Sequence, residues 1–252
     1  MDSLRVEGLS KHFGGVNALR NVSFGVETGQ HLALIGPNGA GKSTLFNVIG
    51  GNLLADGGRI LLFGQDITDI PPYRRSHLGI ARSFQVAALF LELTVLSNIL
   101  LALHGNLRSR FGMYRPMASY KNINDKAHQL LDSMDLWTKR DDLAEELSYG
   151  EQRRLEISIA LSGEPKLLLL DEPSAGLTIA ESEDIRNRIN SLGSDITVIL
   201  VAHDMDLVFG FAQRIIVLHY GEIIAEGTCD DIRHNLRVRE IYMGSEMGNT
   251  LC

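Results

Sequence analysis

Gly36-Pro37-Asn38-Gly39-Ala40-Gly41-Lys42-Ser43-Thr44 follows a compact apolar run, His31 to Ile35, and leads into a helical pattern that extends to Ile49. Gly36 to Ser43 fits G-x-x-x-x-G-K-[ST] without a mismatch. Glycines let backbone N–H groups turn inward around phosphate oxygens, and the start of the next helix adds positive potential there. Lys42 is of a length to reach the β- and γ-phosphates, and Ser43 offers a hydroxyl to Mg²⁺. A strand before and a helix after argue against a chance glycine turn. The stretch reads as the strand–loop–helix unit of an α/β nucleoside triphosphatase.

Working outward, two more strand ends carry polar chemistry. Leu167 to Leu170 has no polar interruption, as a parallel strand covered on both faces requires, and it ends in Asp171 and Glu172. A carboxylate at the carboxyl edge of such a sheet can reach a Mg²⁺ shell. Pro173 favours an extended backbone at Glu172, leaving that carboxylate free to face the phosphate. On their own, the two acids could equally cap the following helix. Ile196 to Ala202 is a second apolar strand, ending in His203 and Asp204. It follows Asp171 by one strand–helix–strand excursion, so His203 and Asp171 are expected on one sheet edge. A lone histidine there would otherwise read as support for its turn. Between loop and acidic strand lies Leu147-Ser148-Tyr149-Gly150-Glu151-Gln152. It is a helix start and so a natural anion site, with no evident task inside a chain that supplies its own phosphate loop.

This order of motifs resembles the ATPase subunit of an ATP-binding-cassette (ABC) transporter, with Ser148, Tyr149, Gly150, Glu151 and Gln152 as its signature motif. The resemblance implies an α/β P-loop NTPase (ABC ATPase) sheet core with an antiparallel β portion and an inserted helical lobe. It implies a single domain over 1–252, with the core at 1–85 and 166–252 and the lobe, signature included, at about 86–165. ATP and Mg²⁺ are the implied ligands. Gly36, Pro37, Asn38, Gly39, Ala40, Gly41, Lys42, Ser43 and Thr44 would cradle the nucleotide. Phe13, in His12-Phe13-Gly14-Gly15, would stack on adenine, and Val16 would add an apolar contact. A core phenylalanine is the other reading of Phe13. Ser43, Asp171 and Gln85, the last in Ser83-Phe84-Gln85, would serve the metal; a surface glutamine is the plain alternative. Glu172 would polarise the attacking water, and His203 would contact the γ-phosphate. The signature residues would complete the ATP site of a second subunit, a paralogue or a second copy.

Two departures from the commonest family pattern narrow the likeness. Tyr149 stands where glycine is usual, and Thr178, in Pro173-Ser174-Ala175-Gly176-Leu177-Thr178, where aspartate is common. With Phe13-Gly14-Gly15, Asn38, Arg153-Arg154-Leu155-Glu156-Ile157, Ala225-Glu226-Gly227-Thr228, Val238 and Tyr242-Met243-Gly244, they resemble the ATPases of branched-chain (hydrophobic) amino-acid importers. Urea and amide importers carry very similar ATPases, and a soluble ABC ATPase of cofactor assembly is the reading from another class. The importer resemblance implies transmembrane permease subunits as partners, an extracytoplasmic solute-binding protein indirectly, and a peripheral place on the cytoplasmic face of the membrane. The apolar surface from Gln85 to Leu96 would meet the permease.

The bulk properties agree. The 252 residues suffice for one large core. A net charge of −7 argues against a nucleic-acid partner bound by a broad basic face. Cys229 and Cys252 lie far apart and outside any metal-ligand pattern, so both read as free thiols. The most apolar long stretch, Val86 to Leu103, is broken by Glu92, Thr94, Ser97 and Asn98, which argues against a membrane span. Strands are expected at Leu4–Phe13, Ala18–Glu27 with Gly25 and Gly29 as breaks, and Arg59–Phe63. Helices are expected at Thr94–Leu103 and Asp125–Met134, with the basic stretch Arg108–Lys121 as a solvated connection. Ile215–Leu218 and Glu222–Ala225 suggest a hairpin, and Asp230–Met243 a terminal helix.

Overall fold

The protein is described by a computed structural model over residues 2–83, 89–105 and 121–243. Its first two strands, β1 (Asp2–Phe13) and β2 (Val16–Glu27), form an antiparallel hairpin. With β4 (Gly57–Leu62) and the short β5 (Gln65–Asp66) they make a four-stranded sheet in the order β2-β1-β4-β5. A second sheet of six strands has the order β10-β9-β3-β8-β7-β6. Its strands are β3 (His31–Ile35), β6 (Ile80–Arg82), β7 (Leu167–Asp171), β8 (Thr197–Val201), β9 (Arg214–His219) and β10 (Glu222–Gly227). From β9 to β6 every pairing is parallel, and the β9–β10 hairpin is antiparallel. The strands expected in the first third are divided between the sheets: β3 joins the parallel one, and β1, β2 and β4 build the antiparallel one. Gly25 lies inside β2 rather than breaking it.

Strand alternation sorts the core into two layers. Leu167, Leu169, Ile199, Val201, Ile216 and Leu218 pack with the antiparallel sheet and with α1 (Lys42–Gly50). Their neighbours Leu168, Leu170, Val198, Leu200, Ile215 and Val217 pack toward the helices on the other side. Those helices are α3 (Val95–Gly105), α4 (Lys121–Ser133), α5 (Tyr149–Leu161), α6 (Ile179–Asn190), α7 (Met205–Phe211), α8 (Cys229–His234) and α9 (Leu236–Met243). Both faces of β7 and β8 are therefore covered, which is why Leu167–Leu170 and Val198–Val201 read as unbroken apolar runs. The expected terminal helix is two, divided at Asn235. The basic stretch 108–120 lies outside the described residues, as does Cys252; Cys229 is a half-buried free thiol. Among the described residues no helix is long and apolar enough to cross a membrane.

One small helix, α2 (Pro72–His77), has no apolar periodicity to announce it. Its Arg75 is 1 % exposed and works as a strut. Nη1 donates to the carbonyls of Val48 and Ile49 at 2.7 and 2.6 Å, Nε to Ile70 O at 2.7 Å and Nη2 to Thr68 O at 2.8 Å. The last carbonyls of a helix lack intrahelical donors; Val48 O accepts from Gly51 N at 3.1 Å as well as from Arg75, and Ile49 O accepts from Arg75. Burial lowers the guanidinium pKa from its ordinary value, against the pull of Asp69. Arg75→Met would leave this set of buried carbonyls short of donors. We expect it to lower the unfolding free energy by about 2–4 kcal/mol in urea titrations; an unchanged midpoint would show that water replaces the guanidinium without loss.

Candidate functional site

The glycine loop connects β3 to α1, and its path is fixed by backbone contacts on two sides. Gly36 has φ +152° and Gly41 φ +106°. A Cβ at Gly36 would lie 2.1 Å from Leu218 O, and one at Gly41 2.5 Å from Ala18 O. Gly39, φ +79°, faces open space. Lys42 is buried, and its ammonium turns back to donate to Gly36 O at 2.6 Å and Pro37 O at 3.0 Å. Burial lowers its pKa, opposed by the charges of Glu172 and Asp171. Ser43 is exposed at the head of α1 and Thr44 half-buried beside it. A cavity of about 480 Å³ opens over the loop, lined by Val16, Lys42, Ser43, Glu172, His203 and Tyr220 among others.

Parallel pairing of β7 with β8, with Asp171 opposite Val201, brings the acidic and histidine strand ends together at this cavity. His203 Nε2 lies 2.8 Å from Glu172 Oε1, and both side chains are about one-third exposed. Glu172 is not extended, contrary to expectation: it has φ +49°. Its N–H donates to Val201 O at 2.8 Å and its C=O accepts from Ala175 N at 3.1 Å. Proline disfavours the right-handed helical well at the preceding residue, and this tight turn selects the left-handed one instead of the extended one.

Asp171 is 1 % exposed. Its Oδ2 accepts from Arg82 Nη2 at 2.9 Å, while Oδ1 is buried without a hydrogen-bond partner. Arg82 also donates through Nη1 to Asn47 Oδ1 at 2.7 Å. Sequence reasoning missed Arg82 and Asn47; the available signal was a charge closing the apolar start of β6, three residues before Gln85. Tyr220, in the β9–β10 turn, was also missed. Among the described residues no group of three or more His, Cys, Asp or Glu side chains converges. An ion held by few protein donors and completed by phosphate oxygens suits Mg²⁺, and the orphaned Oδ1 of Asp171 together with the Ser43 hydroxyl fits that pattern. Gln85 lies outside the described residues.

Phe13 sits at the tip of the β1–β2 hairpin opposite Val16 and is 48 % exposed, which rules out the core reading. Val16 is exposed beside it. Asp56 accepts from Lys11 Nζ at 2.9 Å and from His12 N at 2.7 Å, tying the strand that carries Phe13 to the sheet.

Ser148 to Gln152 stand apart from the loop cavity, at the start of α5. Ser148 Oγ accepts from Glu151 N at 3.3 Å and Glu151 Oε2 from Ser148 N at 2.9 Å, a reciprocal cap. Burial pushes the Glu151 carboxyl up, but Lys139 and the Ser148 N–H outweigh it and hold it below its ordinary value. Gln152 Nε2 donates to the carbonyls of Ala144 and Leu147. The half-exposed Tyr149 ring lies against Gly176, where a Cβ would be 3.1 Å from Tyr149 Cε1, and its hydroxyl accepts from Arg153 Nη2 at 2.8 Å. A Cβ at Gly150 would meet Glu181 Oε1 at 2.7 Å. Arg153 and Arg154 pair with Glu156 at 2.8 Å and Asp184 at 3.2 Å. Thr178 caps α6 by the same reciprocal pattern with Glu181.

Comparison with known proteins agrees with this geometry. The family model described as ABC transporter matches residues 19–175. A high-affinity branched-chain amino acid transport ATP-binding protein, BraF of Pseudomonas aeruginosa, is 38 % identical over 96 % of this chain and 97 % of its own. The ADP conformation of an ABC-transporter cassette superposes with a TM-score of 0.87 at 36 % identity, covering 97 % of this chain and 100 % of that one. A dimeric, post-hydrolysis cassette bound to ADP and phosphate gives 0.75 at 27 % identity, covering 89 % and 98 %.

The loop glycines give a paired test. Gly36→Ala must displace the Leu218 carbonyl and should cost about 2–4 kcal/mol of stability. Gly39→Ala meets nothing and should cost only about 1–2 kcal/mol for its left-handed backbone. Equal unfolding midpoints for the two variants would show that the loop is not wedged against β9.

Proposed function

This chain belongs to the ABC transporter family of ATP-binding subunits, and we propose that it powers the uptake of branched-chain or other hydrophobic amino acids through membrane partners. It is an ATPase by family, and nucleotide binding is the family's shared property. The observation that carries the reading of the site is the Glu172–His203 pair, 2.8 Å apart beside the Lys42 loop. The name of the BraF relative, alike over nearly the whole chain, supports the solute class.

In this reading the adenine stacks on Phe13 with Val16 at its flank. Residues 36–44 wrap the phosphates, and Lys42 exchanges its two loop carbonyls for phosphate oxygens. Ser43 and Asp171 would hold Mg²⁺, with Gln85 as the further residue assigned to it, and the ion would supply charge neutralisation for the phosphates. Glu172 orients and polarises the attacking water, and His203 both braces that carboxylate and contacts the terminal phosphate. Hydrolysis is positioning plus electrostatics, as phosphoryl transfer generally is.

ABC cassettes of importers work as dimers with transmembrane permeases. Ser148 to Gln152 stand clear of this chain's own loop, so we assign them to the ATP of a second subunit, paralogue or self. ATP at 100 times its dissociation constant stabilises the bound form by about 2.7 kcal/mol, enough for two shared nucleotides to bias a membrane gate. The chain is then one domain, with core 1–85 and 166–252 and a helical lobe at about 86–165. A cavity of about 310 Å³ is lined by Arg75, Arg82, Leu89, Ala102, Glu156 and Ile159 among others, and Leu89 is followed in the chain by the exposed Phe90 and Leu91. We take it as the seat of a permease segment, which puts the subunit on the cytoplasmic face of the membrane, peripherally, with a solute-binding protein reached only through the permease.

Lys42→Ala should abolish hydrolysis and weaken nucleotide binding; undiminished activity would remove the loop from the mechanism. Glu172→Gln should bind ATP yet turn over about 10²–10⁴-fold more slowly, with uptake of leucine into proteoliposomes bearing the full complex lost in parallel. Copurification without polytopic subunits, or transport at the normal rate with Ser148→Arg, would sink the transporter reading.

A further inference from the structure

We propose that Arg82 is a positioning residue for Asp171: its guanidinium holds one carboxylate oxygen so that the other is presented to a divalent cation. The inference rests on the proposed reading of the site and deepens it. Asp171 is almost fully buried, and a buried carboxyl group needs a hydrogen-bonding partner to offset its lost hydration. Arg82, itself only 11 % exposed in its side chain, is the partner, with Nη2 2.9 Å from Oδ2. The Asp171 N–H donates to Ser83 Oγ at 3.3 Å, and the Ser83 N–H to Leu169 O at 2.9 Å, so the residue after Arg82 also ties β6 to β7. With the backbone and Oδ2 both fixed, the direction of Oδ1 is fixed. That oxygen is the one left buried without a protein partner.

The second arm of the guanidinium explains why an arginine is needed. Nη1 reaches Asn47 Oδ1 at 2.7 Å, and the Phe46 ring centroid lies 5.8 Å from its Cζ. Asn47 is four residues after Ser43 on α1, hence on the same face of that helix. Arg82 therefore braces the helix that carries Ser43 against the strand that carries Asp171, and sets the separation of the two residues assigned to the cation. A lysine would keep the charge but lacks the planar fork needed to bridge Asp171 and Asn47 together. A pair that served stability alone would not explain why the bridge spans these two elements and leaves Oδ1 free.

The test is equilibrium binding of a fluorescent ATP analogue to the full chain, first in EDTA and then under Mg²⁺ titration. Arg82→Met should leave the EDTA affinity unchanged and raise the Mg²⁺ concentration for half-maximal enhancement by about 10–100-fold. Arg82→Lys should fall between it and the wild type, and Asn47→Ala should shift the same way by less. If Arg82→Met does not fold, those two variants carry the measurement. A Mg²⁺ response identical to the wild type in the variants would overturn the inference. So would a parallel loss of EDTA and Mg²⁺ binding, the mark of a merely structural pair. A wild-type chain that binds the analogue with no Mg²⁺ response would overturn the cation reading of Ser43 and Asp171 as well, which separates failure of the site from failure of Arg82.

Discussion

The parallel register of β3, β8 and β7 is the constraint on which the rest of the molecule depends. Leu34 pairs with Val201, and Val201 with Asp171. Three strand ends therefore stop at one edge, and each hands the chain to a chemically active group: the glycine loop after Ile35, Glu172 after Asp171, His203 after Val201 and Ala202. Ligands gather at the carboxyl edge of such sheets because the loops there are free to vary while the strands beneath are not. The two apolar layers hold the register. A slip of one residue would exchange the sets represented by Leu167 and Leu168 between the antiparallel sheet and the helices, and both surfaces are already filled.

That register is also why so much was legible beforehand. No polar residue interrupts Leu167–Leu170 or Val198–Ala202, so Asp171 and His203 stand out where those runs end. The loop was legible because glycine, lysine and serine each answer a separate demand of phosphate binding. The hairpin carrying Phe13 was visible as strands, though only the structure decides that its ring is exposed.

Side-chain work at a distance escaped reading. Arg75 and Arg82 look like ordinary surface charges in Pro72-Tyr73-Arg74-Arg75 and Ile80-Ala81-Arg82. Their partners are Val48, Ile49, Asn47 and Asp171, brought near only by the fold. The backbone at Glu172 escaped for another reason. A preference attached to the next residue is a weak term beside two hydrogen bonds that close the turn. Arg154 escaped as Arg75 and Arg82 did, since its partner Asp184 stands on another helix, whereas Arg153 and Glu156 are three residues apart on α5 and could be paired from helix spacing.

The wedging of the glycine loop bears on affinity. Gly36 rests on the Leu218 carbonyl, Gly41 on that of Ala18, and the Lys42 ammonium clips Gly36 and Pro37 from within. Such a loop has surrendered its conformational freedom during folding. An arriving polyphosphate finds the loop backbone already ordered, so ordering this segment subtracts little from the free energy of association. Preorganisation of this kind leaves the nucleotide's intrinsic binding energy available for moving larger bodies, whereas a floppy loop would dissipate much of it in its own immobilisation.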